Sequence, residues 1–184
     1  MQGKLFIISG PSGAGEDSVI SGLAKILPIE RVITSTTREM RSGESQGDPY
    51  YFLEKNDFLK GIEENRFFEY ACEYNDNYYG VTHDEIKRVQ ESDGIGIWKI
   101  EYKGVITAKK LIPNIIAILI NAPLDILEAR IRFRGEVSEE FIAERIDYTK
   151  EWLRHKEIYD YVVENKEGKL DETIQKVLDI IKKN

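Results

Sequence analysis

Apolar residues along this chain occur either as short continuous runs or at three- and four-residue intervals. Leu5-Phe6-Ile7-Ile8 and residues 115–120 are continuous runs, the pattern of strands buried on both faces. Residues 95–100 form a third run, interrupted by Gly96. Helical periodicity predicts helices over 16–27, 55–65, 82–91, 104–111, 125–132, 138–156 and 170–182, the first stopped near Pro28. Thr82 is a predicted N-cap with Glu85 completing a capping box, and Ser138 opens a second box with Phe141 in place of the usual acid. Residues 31–35, 67–74 and 159–163 are further predicted strands. Residues 36–52 read as a small inserted element of strands and turns, Asn75-Asp76-Asn77 as a turn before Tyr78-Tyr79-Gly80-Val81, and 134–137 as a loop. Strands alternating with helices imply an α/β fold with a parallel sheet covered on both faces.

Composition narrows the class. A chain of 184 residues suits one domain with room for an inserted lid or subdomain. A net charge of -7 argues against wrapping nucleic acid, yet allows a local basic pocket for a small anion. The single cysteine, Cys72, cannot form an internal disulfide, which suits a reducing compartment, and it is expected to be a small buried apolar residue. His83 and His155 are not placed to form a triad with it, and two histidines make no metal cluster. No signal-peptide pattern and no apolar run of about 18 residues occurs, so the expected location is the cytoplasm, without membrane contact.

The chemistry concentrates in Ser9-Gly-Pro-Ser-Gly-Ala-Gly-Glu-Asp-Ser18, between the first strand and the first helix. Gly10, Gly13 and Gly15 permit a tight turn in which successive N–H groups and a helix N-terminus face an anion. The spacing Gly10-x-x-x-x-Gly15 is that of a phosphate loop, whose next residue should be lysine. Here it is Glu16.

That loop, Thr36-Thr37-Arg38 with Arg41 and Gly43-Glu44, Tyr78-Tyr79-Gly80, Arg134-Gly135, and Tyr159-Asp160-Tyr161 with Asn165 occur in one order and spacing. Together they resemble the guanylate kinase family over nearly the whole chain. The resemblance implies a P-loop NTPase-type three-layer fold with a central parallel sheet. It further implies an NMP-binding subdomain near 34–82, a helical lid near 124–145, and a core of 1–33, 83–123 and 146–184. It implies transfer from ATP to GMP with Mg2+. By position, Arg38, Arg41, Tyr50 and Tyr79 would grip the acceptor phosphate, while Thr34, Glu69 and Glu101 would meet the base. Glu69 would accept from both the ring N–H and the amino group of guanine. Ser12, Gly13, Ala14, Gly15, Glu16, Asp17 and Ser18 would line the donor phosphates, clamped by Arg130, Arg134 and Arg145. Arginine forks suit phosphate, and phosphoryl transfer relies on positioning and charge.

Two departures are reciprocal. The loop lysine is Glu16, and the residue after it, which normally touches magnesium, is Asp17. In Lys99-Ile100-Glu101, the first of two carboxylates usual in the family has become lysine. Residues i and i+2 of a strand face one side, so Lys99 is expected either to pair with Glu16 or to reach the β- and γ-phosphates from the opposite wall. Asp17 followed by Ser18 also resembles the loop of ribose bisphosphate kinases, and an aspartate can hold Mg2+. Val81 stands where a hydroxyl would meet the guanine oxygen. The rival readings are a GMP-binding module without catalysis and a kinase of another phosphorylated acceptor such as ribose 1,5-bisphosphate.

Overall fold

The computed structural model describes residues 4–73, 76–133 and 138–184. Its elements are β1 (Leu5–Ser9), α1 (Glu16–Leu23), β2 (Ile29–Arg31), β3 (Thr34–Thr36), β4 (Ser45–Gln46), β5 (Pro49–Phe52), α2 (Lys55–Glu63), β6 (Phe67–Glu73) and β7 (Asn77–Thr82). There follow α3 (His83–Glu91), β8 (Ile95–Lys99), α4 (Tyr102–Leu111), β9 (Ile116–Asn121), α5 (Leu124–Phe133), α6 (Glu139–Arg154), β10 (Tyr161–Glu164) and α7 (Leu170–Lys183). The chain divides into two compact units, one of Met1–Leu5 with Glu30–Trp98, the other of Phe6–Ile29 with Lys99–Asn184.

In the second unit the continuous apolar runs become parallel strands. Phe6 to Ser9 of β1 lie opposite Ile116 to Leu119 of β9, and Tyr161 to Glu164 of β10 lie opposite Ile118 to Asn121. Ile7, Ile8, Ala117, Ile118, Leu119 and Ile120 are wholly buried. Burying each large side chain contributes about 1.5–3 kcal/mol relative to leaving it exposed. Helix α7 turns Ile174, Val177, Leu178 and Ile181 inward, and it packs against α1. At their contact a Cβ on Gly22 would stand 2.2 Å from Ile174 Cδ1, so only glycine allows the helices this close.

The first unit holds a mixed sheet in the order β4-β5-β3-β7-β6. Strand β3 runs parallel to β5 and antiparallel to β7. Phe58 of α2 stacks on Phe67 with ring centroids 4.1 Å apart, and both rings are buried.

Several expectations change. Helix α1 ends at Leu23 rather than near residue 27, continuing as tight turns in which Ile26 and Leu27 N–H both donate to the Leu23 carbonyl. Residues 31–35 are not one strand. Val32 N–H donates to Ile97 O, whereas Thr34–Thr36 join the mixed sheet, so the chain changes sheets at Val32-Ile33. Thr82 does cap α3, accepting from Glu85 N–H at 3.2 Å. The reciprocal half of the box is diverted: the Glu85 carboxylate accepts Ile33 N–H at 2.8 Å and two bonds from Arg88. Ser138 likewise caps α6 by accepting from Phe141 N–H. Helix α4 starts at Tyr102, two residues early, and β10 starts at Tyr161 because Lys156–Ile158 form a 3-10 turn. Cys72 is exposed, not buried, and its Sγ lies 3.7 Å from Asp76 Oδ1. Among the described residues, no helix is long and apolar enough to cross a membrane.

Candidate active site

The turn between β1 and α1 is shaped by its glycines. Gly13 and Gly15 have φ of 88° and 94°, a left-handed conformation that strains any residue with a Cβ. A Cβ on Gly10 would stand 2.5 Å from Ile120 O, and one on Gly15 would stand 2.5 Å from Asn165 Nδ2. Gly15 is also the N-cap of α1 and brings no side-chain cap, so the N-terminus of that helix follows directly on the glycine turn.

The loop is tied from behind. Asn165, 5% exposed, donates from Nδ2 to Ala14 O at 2.8 Å, while its Oδ1 accepts from Thr173. Because the peptide is trans and planar, turning the Ala14 carbonyl to Asn165 turns the Gly15 N–H the opposite way. Arg130 donates to Gly13 O at 3.2 Å and Asn165 O at 3.1 Å, and pairs with Glu167 at 3.0 Å. Arg130, expected to clamp the donor phosphates, thus stands at the loop and braces it. Arg145 of α6 lies with its guanidinium carbon 5.0 Å from the Phe141 ring centre. Arg134 falls outside the described residues.

Lys99, the last residue of β8, donates from Nζ to Asp17 Oδ2 at 2.6 Å. The cation expected beside Glu16 is thus held by the next acid along, in the first turn of α1. What aims it is the segment after it. Ser9 Oγ, at the end of β1, donates to Ile100 O at 2.6 Å and shares a hydrogen bond with Tyr159 OH at 2.9 Å. Tyr159 also accepts from Trp152 Nε1, and burial pushes its phenol up to about 12. Glu101 lies beyond the strand as the N-cap of α4, and its carboxylate accepts from Tyr148 OH. Lys99 and Glu101, expected side by side, are consequently directed to different partners. The Lys99–Asp17 pair is 37% and 61% exposed. Such a pair contributes about 0–1 kcal/mol and is readily exchanged for a multiply charged ligand.

Beside the loop lies a cleft of about 620 Å³, bounded by Gly13, Gly15 and Ser18, by Ile126 and Phe133 of α5, and by the segment from Asn165 to Gly168.

The first unit gathers the residues expected to hold an acceptor. Pairing of β3 with β5 sets Thr34 opposite Tyr50, and pairing with β7 sets Thr36 opposite Tyr79. The Tyr50 and Tyr79 rings meet edge to face, 6.0 Å between centres. Arg38 gives Nη2 to both oxygens of Glu44 at 2.8 and 3.0 Å, and its guanidinium carbon lies 5.5 Å from the Tyr50 and Phe52 ring centres. Glu44 also accepts Arg41 N–H at 2.8 Å. Its hydrogen bond with Arg38 holds the carboxyl below the usual carboxylate range and raises the guanidinium further. Glu69 stands opposite Val81 across β6 and β7, next to a bulge after Phe67. Arg41 is exposed.

Three contributors had no assigned role in the sequence reading: Glu44, Asn165 and Tyr148. Glu44 and Asn165 stood inside quoted motifs. Their function is to aim a neighbour, and residue spacing carries no signal for that.

Comparison with known proteins agrees in kind. A family model described as guanylate kinase matches residues 2–184. The guanylate kinase of Rickettsia felis is 36% identical over 182 residues, 98% of this chain and 93% of the relative. That of Shewanella violacea is 39% identical over 168 residues, 89% of this chain and 80% of the relative. Among solved structures, guanylate kinase from Anaplasma phagocytophilum has a TM-score of 0.73 at 23% identity, covering 98% of this chain and 85% of that one, a likeness of fold.

Proposed function

The chain belongs to the guanylate kinase family, and on that premise we propose that it transfers the γ-phosphoryl group of ATP to GMP, with Lys99 supplying the cation missing from the phosphate loop. The observation that carries this reading is the 2.6 Å contact between Lys99 Nζ and Asp17, which keeps an ammonium at the first turn of α1 although its own strand is 82 residues away in sequence.

An acceptor phosphate oxygen attacks the γ-phosphorus, the bond from that phosphorus to the β–γ bridging oxygen breaks, and ADP leaves. The acceptor phosphate is already ionised, so no general base is needed. Arg38, Arg41 and the phenols of Tyr50 and Tyr79 bind that phosphate, with Arg38 pre-aimed by Glu44. Glu69 reads the guanine ring N–H and amino group, while Thr34 and Glu101 complete the base contacts. On the donor side, Ser12, Gly13 and Gly15 to Ser18 cradle the phosphates, while the Ala14 N–H closes the turn on Pro11 O at 3.0 Å. Lys99 leaves its weak partner for the phosphates, and Arg41, Arg134 and Arg145 add charge to the transferring group. Residues 34–82 serve the acceptor, 124–145 act as lid, and the remainder forms the core.

The reaction class implies Mg2+. Asp17 and Ser18 offer the hard oxygen ligands it prefers, and among the described residues no group of three His, Cys, Asp or Glu offers an alternative. Asp17 and Ser18 would hold the ion, which would supply charge neutralisation of the donor phosphates.

Glu16 favours a second reading, in which the chain binds GMP and transfers nothing. Two charges about 4 Å apart interact by about 4 kcal/mol at an effective dielectric of about 20, so an acid in place of the loop lysine works against a polyphosphate. Asp17-Ser18 keeps ribose 1,5-bisphosphate among the acceptors to be tested. A coupled assay of ADP formation from Mg-ATP with GMP, dGMP, IMP, AMP and ribose 1,5-bisphosphate decides among them. Turnover with a guanine nucleotide supports the kinase, turnover with the sugar phosphate alone reassigns the acceptor, and GMP binding without turnover supports the binding module.

A further inference from the structure

Helix α5 carries two apolar stripes. Leu124, Leu127 and Ile131 face inward, with Leu127 wholly buried and Ile131 packed on Ile142 and Ile146 of α6. A second stripe, Ile126, Ala129 and Phe133 together with the stem of Arg130, follows the i, i+3, i+4, i+7 spacing of one helix face. All four of its residues line the cleft beside the phosphate loop, and Phe133 is 94% exposed. A core helix gains nothing from a large aromatic ring left in water. Its position matters because the stripe starts near the loop glycines and ends at that ring.

We propose that Phe133 is a donor-specificity residue whose ring stacks on the heterocyclic base of the nucleoside triphosphate while Ile126 and Ala129 supply the adjoining apolar wall. This inference rests on the kinase reading for the identity of the ligand. A donor with its phosphates at Gly13 to Ser18 has one part that is flat and largely apolar, its base, and the cleft offers an apolar wall for it beyond the phosphate-binding turn. The Arg130 guanidinium, held by Gly13 O, Asn165 O and Glu167, is fixed at the loop end of the stripe, whereas the Phe133 ring stands at its far end. Aromatic stacking is tolerant of base identity because every base presents a π-face. The contact therefore selects a nucleotide over bare polyphosphate more strongly than it selects adenine over guanine.

The test compares Phe133→Ala, Phe133→Tyr and the unaltered protein by equilibrium dialysis with ATP, by inhibition with inorganic tripolyphosphate, and by KM for ATP and GMP. Phe133→Ala should weaken ATP about tenfold in both dialysis and KM, with KM for GMP and inhibition by tripolyphosphate unchanged. Phe133→Tyr should restore ATP binding. Equal weakening of ATP and tripolyphosphate, or no change in ATP binding, overturns the proposal. Failure of the kinase reading is separable: it would appear as no ADP formation by the unaltered protein, whereas dialysis still decides the stacking claim.

Discussion

The residues proposed to hold the acceptor in the first unit and the phosphate loop of the second are supported by different means. In the first unit the cation is built in and braced: Arg38 is gripped by Glu44 at 2.8 and 3.0 Å and flanked by two aromatic rings. In the second unit the loop backbone is braced by Asn165 and Arg130, while the cation proposed to serve it, Lys99, comes from the end of another strand and rests on an exposed aspartate. In the proposed reading, backbone shape and charge at a phosphate site are therefore supplied by different elements, the glycines and their supports giving the one and Lys99 the other.

The largest expected effect follows from removing that ammonium. Lys99→Ala should lower kcat/KM for ATP by about a thousandfold, corresponding to about 4 kcal/mol of phosphate stabilisation, with GMP binding by dialysis unchanged. A parallel loss of GMP binding would show that the two regions are not separable.

Next comes the network that aims Lys99. Burial holds Tyr159 above the ordinary phenol value of 10.0, to about 12. A raised pKa means that its contribution is fully present below pH 10 and is lost as pH rises from about 10 to about 12, amounting to about 3 kcal/mol. Unfolding free energies measured across that window should fall more steeply for the unaltered protein than for Tyr159→Phe. Parallel curves would contradict the assignment.

A smaller effect is expected on the acceptor side. Glu44→Gln keeps the shape but removes the charge that holds Arg38, so KM for GMP should rise about tenfold, the worth of a charge-assisted hydrogen bond. KM for ATP should stay the same. The smallest effect on stability is at Asp17. Because an exposed ion pair contributes about 0–1 kcal/mol, Asp17→Asn should leave thermal stability nearly unchanged, and a large loss would mean that the Lys99 contact is structural.

Much of the fold was legible because its signals are local. Continuous apolar runs became β1 and β9, helical periodicity placed α1 to α7 among the described residues, and the phosphate loop was visible from its glycines alone. Boundaries failed where long-range partners decide. Nothing in residues 31–35 says that Val32 bonds to Ile97 while Thr34 enters another sheet. Glu85 matched a capping box, but burial placed it where Ile33 N–H and Arg88 were better partners. In the candidate site, residue type led to the expectation that Lys99 lies beside Glu16 or at the phosphates, and its hydrogen bond runs to Asp17. Strand alternation could not single out that acid, because Ile100, next to Lys99, is held by Ser9 through its carbonyl. Cys72 was read as buried from its type alone, and its strand position exposes it.

The claim that the loop's cation has moved to β8 is tested most directly by a double-mutant cycle in the ADP-formation assay: the unaltered protein, Lys99→Ala, Glu16→Lys and the two changes together. The account predicts that Lys99→Ala nearly abolishes turnover, that Glu16→Lys alone gives no faster enzyme because it sets two cations together, and that the double variant recovers part of the loss. A strong gain from Glu16→Lys alone, or wild-type turnover by Lys99→Ala, would contradict it.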